Sequence, residues 1–471
     1  MTITKQTLTV DARDAQSSLH FKNHSKMRII KGGTEAVRAA GELFLAREAA
    51  EVPFEYKDPE GTHTRIIDPY KSRLKRTVLA NFTERAVQNY VGKLFKQPVS
   101  LDSKREKALV DELALNIDGQ GTSVTQLATE AAEDLLWQGC GGFLVDASVD
   151  NQRGGYALWV SPNRILGGKF RNGELVLLRI QEAIERDDGE WGTELIDAVK
   201  VFKKVGDKVT WAQYIKQKDD KGQNAQNGYV MDGKWNDHPL PVIPFIPVLA
   251  GGHKPCQLFE KSPLMSLAEL NIAHLQKSSG LGDILHKSQH PILFIKGMPP
   301  GNSDKKPTIK TGVGNAVAVP DPSADMKYVE PSCNAISKAQ EEIEKLEKQM
   351  EALGLEMLTK KGSETATGRS LDADVANSAL GTLSDAIAQG LKKALKLLGD
   401  FNIANVSDVE VKLNKDFGLS MSSTDVSALH AARASGDLSY ETYMRELKRR
   451  NIVDESVDIK QNKLELMSEV A

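Results

Sequence analysis

The order of elements predicted between residues 262 and 399 constrains the fold of this chain more than any other feature. The segment reads as a long helix, a β-rich excursion, a second long helix, a short polar loop and a third long helix. Ser262 and Pro263 supply an N-cap and a first-turn residue, so the first helix is predicted over residues 262–290. No catalytic signature lies inside this order, which is more typical of a mechanical or assembly component than of an enzyme.

The second and third helices are predicted from apolar spacing and from charges at their ends. Apolar residues recur at three- and four-residue intervals over residues 336–357, as on one face of a helix. The third helix, residues 370–398, has acidic residues in its first turns and lysines before Gly399, which suits the helix dipole. The first and third helices contain small residues, which permit a kink or a close approach of the helix backbone to a neighbouring element. That element belongs either to another copy of the chain or to the core of a monomer.

Composition excludes several classes of protein. A chain of 471 residues is expected to form two or three domains or subdomains. Its 61 basic and 64 acidic residues leave a net charge of −3, which argues against a protein that coats nucleic acid through positive charge. The three cysteines are widely spaced and indicate a reducing compartment: Cys140, Cys256 and Cys333. The first residues are polar and no long apolar run occurs, so we expect a soluble protein made in the cytoplasm.

The predicted fold class is α+β. The first 20 or so residues are expected to be a mobile arm, and helices are predicted over residues 34–51, 70–95 (one helix or a pair) and 123–138. An antiparallel meander follows, with strands at residues 143–147, 156–160, 174–185, 198–205, 208–215 and 229–231. The proline-rich segment 239–247 is predicted to be an extended connector, because proline cannot donate to a strand ladder. The excursion is expected to hold strands at residues 291–296, 308–310 and 312–319, and the chain to end with a strand at 409–413 and helices at 426–434, 440–450 and 454–468.

Three motifs contain residue types that occur in catalytic, nucleotide-binding or metal-binding sites. A P-loop has four residues between its glycines, then Lys, with a strand leading in; here five residues separate Gly362 from Gly368, Arg369 replaces Lys, and a helix leads in. His286 and His290 are one helical turn apart but lack a third ligand. Cys140 lies between glycines, and no histidine can be assigned to it from the sequence. We therefore predict no catalytic residue, metal site or cofactor.

The order of elements resembles the portal proteins of tailed bacteriophages. Stretches such as residues 270–274, 291–294, 364–367 and 436–442 are similar to those of one portal subgroup, and the resemblance extends from about residue 30 to the end. It implies a portal-like architecture with these parts: a mobile arm (1–25), an α+β wing (26–260), a first stem helix (261–290), a clip (291–335), a second stem helix (336–358), a tunnel loop (359–369), a tunnel helix returning to the wing (370–420) and a helical crown (421–471).

The resemblance also implies function and partners. A portal is a dodecameric ring at one capsid vertex of the virion, through which a terminase drives double-stranded DNA and to which head-tail adaptor proteins attach; capsid or scaffold proteins surround it. The tunnel-loop residues expected near DNA are Lys360, Lys361, Ser363, Thr365, Thr367 and Arg369. The clip residues expected to contact terminase or adaptor are Lys305, Lys306 and Lys310. A near-neutral chain suits a conduit, because strong phosphate contacts would oppose sliding. No membrane or small-molecule substrate is expected.

Two other classes of protein remain open at this stage. The chain could be another phage head or scaffold-associated minor capsid protein, which would form no central channel. It could also be a nucleotide-dependent enzyme that uses the glycine-containing loop at residues 362–368.

Overall fold

The structure is a computed structural model of the 471-residue chain. It describes residues 9–57, 63–147, 155–218, 224–288, 292–296, 323, 325–329, 333–356, 366–401, 406–414, 423–449, 453 and 457–463. The chain forms two compact units. Unit 1 comprises Met1–Lys31, Phe82–Ala268 and Ala352–Ala471, and unit 2 comprises Gly32–Asn81 and Glu269–Glu351.

Helices occur throughout both units. In chain order they are α1 (Ala15–Asn23), α2 (Ser25–Lys31), α3 (Gly33–Ala40), α4 (Pro69–Arg76), α5 (Phe82–Leu94), α6 (Lys107–Leu115), α7 (Val124–Gln138), α8 (Met265–Ser288), α9 (Cys333–Glu356), α10 (Ala366–Phe401), α11 (Ser423–Ala434) and α12 (Tyr440–Arg449). A short 3-10 helix, Gly41–Leu43, follows α3.

The strands form several small antiparallel sheets, so the chain is a mixed α+β protein. They are β1 (Phe54–Lys57), β2 (Thr64–Ile67), β3 (Ser100–Asp102), β4 (Cys140–Ala147), β5 (Gly155–Val160), β6 (Ile165–Arg171), β7 (Glu174–Asp188), β8 (Gly192–Val205), β9 (Lys208–Lys218), β10 (Asn224–Asp237), β11 (Phe245–Leu249), β12 (Ile292–Lys296), β13 (Asp325–Val329) and β14 (Glu410–Lys412).

The predicted meander is confirmed for its last four strands, which belong to a five-stranded sheet in unit 1, whereas the strands predicted at 143–147 and 156–160 lie in a separate sheet. Strands β6 to β10 pair in sequential order, each antiparallel to the next. The sequence did not predict β6, and the other strands are longer than expected. Leu178, Ile180 and Phe202 are fully buried and pack with Leu144 and Phe245 of the second sheet, so one hydrophobic core joins both sheets.

The second sheet of unit 1 has the order β11-β4-β5 and corrects the prediction for the proline-rich segment. Residues 245–249 are a strand, in which Pro247 lies opposite Gly142. Because β11 is at the edge of its sheet, a residue without an N–H is tolerated there. Helix α7 precedes this sheet, begins with the capping box of Ser123 and Gln126, and ends at Gly139, whose φ of 80° favours glycine.

The N-terminal region differs from the expected arm and single long helix. Asp14 caps α1 through a 2.8 Å bond from the Ser17 N–H, and His20 of this helix is buried. The helix predicted over residues 34–51 ends much earlier, because Gly41 has a φ of 54° and the chain turns there. Apolar periodicity alone could not reveal either feature.

Unit 2 contains most of the long helices α8 and α9 and the strands between them. The two helices lie side by side and antiparallel, since His274 Nε2 is 3.1 Å from Glu347 Oε1 and Lys277 pairs with Glu342. Strands β12 and β13 pair from Ile292 opposite Val329 to Lys296 opposite Asp325. The strands predicted at residues 308–310 and 312–319 lie outside the described residues, as does most of the helix predicted at 454–468.

Helix α10 is longer than predicted at both ends. It starts at Ala366 rather than at residue 370 and ends at Phe401, beyond Gly399. In unit 1 it lies against β4, β5, β11 and α7. Its inward face is fully or almost fully buried and consists of Leu380, Leu383, Ile387, Leu391, Ala394, Leu395 and Leu398. A three- and four-residue apolar spacing is sufficient for a helix that packs on a sheet.

Candidate functional site

Most residues of the predicted DNA channel and partner surface lie outside the described part of the chain. This applies to Lys360, Lys361, Ser363 and Thr365, and to the clip residues Lys305, Lys306 and Lys310. Thr367 and Arg369 lie in the first turn of α10, where the backbone is described. The last part of the predicted tunnel loop is therefore helical, and the roles of these side chains stay predictions.

The candidate functional elements are instead those that flank this loop in the chain: α8, the β12–β13 pair and α9, which lie mostly in unit 2, and α10, which lies in unit 1. Each of the first two helices has 24 residues, which corresponds to a length of about 36 Å. Helix α10 has 36 residues and is about 54 Å long. Strands β12 and β13, which lie between α8 and α9 in the chain, form an antiparallel ladder.

Helix α8 is fixed to α4 within unit 2 by a buried polar network. Arg73 forms two bonds to Glu51, Nε to Oε1 at 2.6 Å and Nη2 to Oε2 at 2.8 Å, and both side chains are buried. Ser279 of α8 lies 2.8 Å from the Thr77 hydroxyl, and Arg76 binds Asp283 at 2.7 Å. The small side chain of Ser279 permits the contact with the Thr77 hydroxyl. This contact explains one of the small residues that the sequence shows in the first long helix.

A close backbone approach predicted for the third long helix occurs at Gly390. A Cβ at this position would lie 2.7 Å from Val248 Cγ2 and 2.9 Å from Phe143 Cε2. Glycine therefore lets α10 sit against β11 and β4 without displacing their side chains. By contrast, a Cβ at Gly280, Gly282 or Gly381 would meet no atom within 4 Å.

The structure identifies a histidine beside Cys140, which could not be assigned from the sequence. His20 Nε2 lies 3.4 Å from the Cys140 Sγ, although the two residues are 120 positions apart in the chain. Burial raises the pKa of the Cys140 thiol to about 12. Burial, followed by the effect of neighbouring His24, lowers the pKa of His20 to about 4. Both groups are thus neutral near pH 7, and the thiolate that a cysteine nucleophile requires is not formed.

Burial lowers the pKa of both histidines, and hydrogen bonds fix the orientation of the two rings. His20 donates from Nε2 to the Gln138 carbonyl at 2.9 Å. His24 donates from Nδ1 to the His20 carbonyl at 2.9 Å and accepts at Nε2 from the Ser262 N–H at 3.1 Å. Because His24 Nε2 accepts this hydrogen bond, it carries no proton and the ring is neutral. The two histidines therefore connect α1 to Gln138 at the end of α7 and to Ser262 before α8. This is a structural role.

The other motifs singled out in the sequence lie partly outside the described residues. His286 lies in α8, whereas His290 is outside the described residues. Within the described ranges, no group of three or more His, Cys, Asp or Glu residues is arranged to bind a metal. The helix α9 precedes the segment at residues 362–368, whereas a P-loop follows a strand. None of the helices described has an apolar stretch suited to crossing a bilayer.

Comparisons with known proteins match part of the chain to a family and its fold to several solved structures. The family described as Domain of unknown function (DUF4055) matches residues 263–402, which include α8 to α10. No curated protein matches the sequence.

The solved structures to which the chain is similar include parts of gene transfer agent particles and a phage portal protein. The neck of a native gene transfer agent (GTA) particle, computed with C12 symmetry, is 14% identical; the match covers 86% of this chain and 98% of that chain, with a TM-score of 0.38. The virion of a native GTA particle is 15% identical over 85% and 95% of the two chains, with a TM-score of 0.39. An HK97 family phage portal protein from Corynebacterium diphtheriae is 10% identical over 71% and 92%, with a TM-score of 0.28. With identities and TM-scores this low, the function must be inferred from the chain's own elements and contacts.

Proposed function

We propose that this chain is a structural portal protein: a subunit of a ring at one vertex of a phage capsid, and no enzyme. The observation that carries the proposal is the framework of α8, the β12–β13 pair, α9 and α10. Two antiparallel helices with a β module between them suit a stem that carries a docking surface, and the longer helix suits the wall of a channel. The neutral Cys140–His20 pair fits a protein that works through its shape.

The proposed assignment of parts follows the sequence boundaries. Residues 26–260 form the wing, 261–290 and 336–358 the stem, 291–335 the clip, 359–369 the tunnel loop, 370–420 the tunnel helix with its return, and 421–471 the crown, with residues 1–25 as an N-terminal arm. The clip lysines contact the large terminase subunit or a head-tail adaptor, and capsid or scaffold protein surrounds the wing. The protein is made in the host cytoplasm and resides in the virion.

In this proposal the DNA duplex passes through the ring without sequence recognition. Lys360, Lys361 and Arg369 approach phosphates transiently, while Ser363, Thr365 and Thr367 keep the loop adaptable. The net charge of −3 limits the retention of DNA, because each lasting Lys or Arg contact adds salt-dependent affinity.

The experiment that tests the proposal is deletion of residues 362–368, followed by assembly and DNA-packaging assays. We expect rings to form as in the wild type, whereas packaging or retention of DNA is impaired. A matched control deletes residues 219–223, between β9 and β10, and is expected to preserve both. Loss of the ring itself after the first deletion would contradict the tunnel-loop assignment, and ATP hydrolysis by rings without terminase would contradict the structural role.

A further inference from the structure

Strands β7 and β8 pair with each other further than they pair with their neighbouring strands. Strand β6 pairs with β7 only as far as Ile180, and β9 pairs with β8 only from Ala198. The β7–β8 ladder nevertheless continues to Asp188 opposite Gly192. Residues 183–197, called the acidic ribbon below, therefore extend about 17 Å past β6 on one side, whereas on the other side β9 continues beside them for three residues, to Lys218.

The acidic ribbon exposes large apolar side chains among carboxylates. Trp191 in the turn is 92% exposed and Leu195 is 72% exposed. Between residues 185 and 194 a single base, Arg186, accompanies five acidic residues: Glu185, Asp187, Asp188, Glu190 and Glu194. A nearly fully exposed tryptophan at the tip of a projecting ribbon is unusual for a surface that faces only water, and tryptophan is enriched at the centres of protein interfaces.

The opposite end of the same sheet borders a groove of complementary character. This groove has a volume of about 490 Å³ and lies where the β6–β7 turn, β11 and α10 meet. Its apolar lining includes Phe170, Leu175, Ile243, Phe245 and Ile246. Its volume is in the range of about 300–1,000 Å³ typical of pockets that accept ligands larger than an indole ring.

Lysines outnumber carboxylates around the groove. The lysines are Lys204, Lys254, Lys393 and Lys396, and the carboxylates of the lining are Glu174 and Asp400. Lys204 binds Glu174 at 2.7 Å, and Lys254 pairs with Glu260. Lys393 and Lys396, on the outer side of α10, are exposed. The groove thus offers an apolar floor with a basic rim, the converse of the acidic ribbon.

The ribbon and the groove of one copy cannot meet. Strand β7 begins at Glu174 in the groove lining and ends at Asp188 beside the ribbon tip, so the two features are about 45 Å apart along one ladder. The two can engage only between copies. Since the two surfaces differ, such a contact is head-to-tail, and its repetition forms a closed ring or an open filament.

We propose that the acidic ribbon of one copy docks into the basic-rimmed groove of a second copy, with Trp191 entering the groove and the ribbon carboxylates facing Lys393 and Lys396. The contact itself follows from the two complementary surfaces of unit 1. Its closure into a ring depends on the proposed portal function. Because the contact is head-to-tail, all copies in the assembly point the same way. Trp191, the ribbon carboxylates, Lys393 and Lys396 determine this direction.

A charge-swap series measured by sedimentation velocity tests this contact. Trp191→Ala is expected to weaken self-association by about tenfold or more, as for a buried aromatic anchor. The pair Lys393→Glu/Lys396→Glu and the pair Asp187→Lys/Glu190→Lys should each weaken it similarly, and combining the two pairs should restore it. Lys392→Glu is the matched control, since Lys392 is exposed on the same helix but does not line the groove. Assembly unchanged in Trp191→Ala and in both charge-reversed pairs would overturn the proposal.

A disulfide cross-linking experiment distinguishes an error in the proposed contact from an error in the proposed ring. Cys256 is exposed and lines the groove, so a Glu190→Cys variant should form an oxidised ladder of multimers that is lost when Cys256→Ser is added. A ladder from open filaments would support the contact and contradict the portal proposal. Rings without the ladder would overturn the contact and leave the portal proposal standing.

Discussion

Two glycines of α10 differ in their surroundings and give a matched pair of substitutions. Gly390→Ala places a Cβ within 3 Å of Val248 and Phe143, and we expect it to destabilise the fold by about 1–3 kcal/mol through overpacking. Gly381→Ala meets no atom within 4 Å and should be neutral or stabilise the helix by up to about 1 kcal/mol. Chemical denaturation of the two variants measures both changes, and equal effects would contradict the close approach of α10 to the sheet.

The buried histidines make stability depend on pH. Burial lowers the pKa of His20 to about 4 and also lowers the pKa of His24, whereas an unfolded histidine has a pKa of about 6.5. A depressed folded-state pKa means that the contribution is complete above pH 6.5 and is lost as the pH falls towards 4. For His20 alone, the free energy of unfolding should fall by about 2 kcal/mol between pH 7 and pH 5.

Thermal unfolding across this pH range checks the expectation. His20→Asn should have a smaller loss of stability between pH 7 and pH 5 than the wild type. His253→Asn, at an exposed histidine, is the control and should keep the wild-type pH dependence. A wild-type slope in His20→Asn would show that this ring is not held neutral.

Sequence patterns identified residues that act on their own helix or turn. They did not identify residues whose role depends on contacts with parts of the chain far away in the sequence. The cap at Ser123 and the stop at Gly139 follow from neighbouring residues, and both occur. The Cys140–His20 contact joins positions 120 residues apart, and no spacing rule relates them. The burial of Arg73 with Glu51 likewise depends on the path of the chain between them.

At the scale of elements, the antiparallel packing of α8 and α9 can be tested by cross-linking. In a Cys256→Ser/Cys333→Ser background, Lys277→Cys with Glu342→Cys should react with a short bismaleimide within one chain, because these side chains pair. Lys277→Cys with Glu351→Cys is the matched control, since position 351 is about 13 Å further along α9. Equal cross-linking of both pairs would contradict the register of the two helices.

Element types were predicted better than element ends. Long amphipathic helices and alternating strands have strong periodicity, and both are present, although the predicted meander is divided between two sheets. Strand β11 was missed because Pro247 argues against a strand until its position at a sheet edge is known. The start of α10 was placed four residues late, because Gly368 within the first turn resembles a loop residue.

At the scale of the whole chain, the sequence predicted the order of parts but not how distant segments combine. Unit 1 is assembled from three separate stretches and unit 2 from two, and hydrophobic patterning specifies which face is buried without specifying its partner. The acidic ribbon and its complementary groove also become visible only when the sheet is formed, because they lie at opposite ends of one strand.

The central claim, that the chain is a ring-forming conduit, is tested most directly by electron microscopy of the purified full-length protein. Class averages should show closed rings of a uniform subunit number, with an open axial channel wide enough for a DNA duplex. Monomers or open filaments at high protein concentration would contradict the claim.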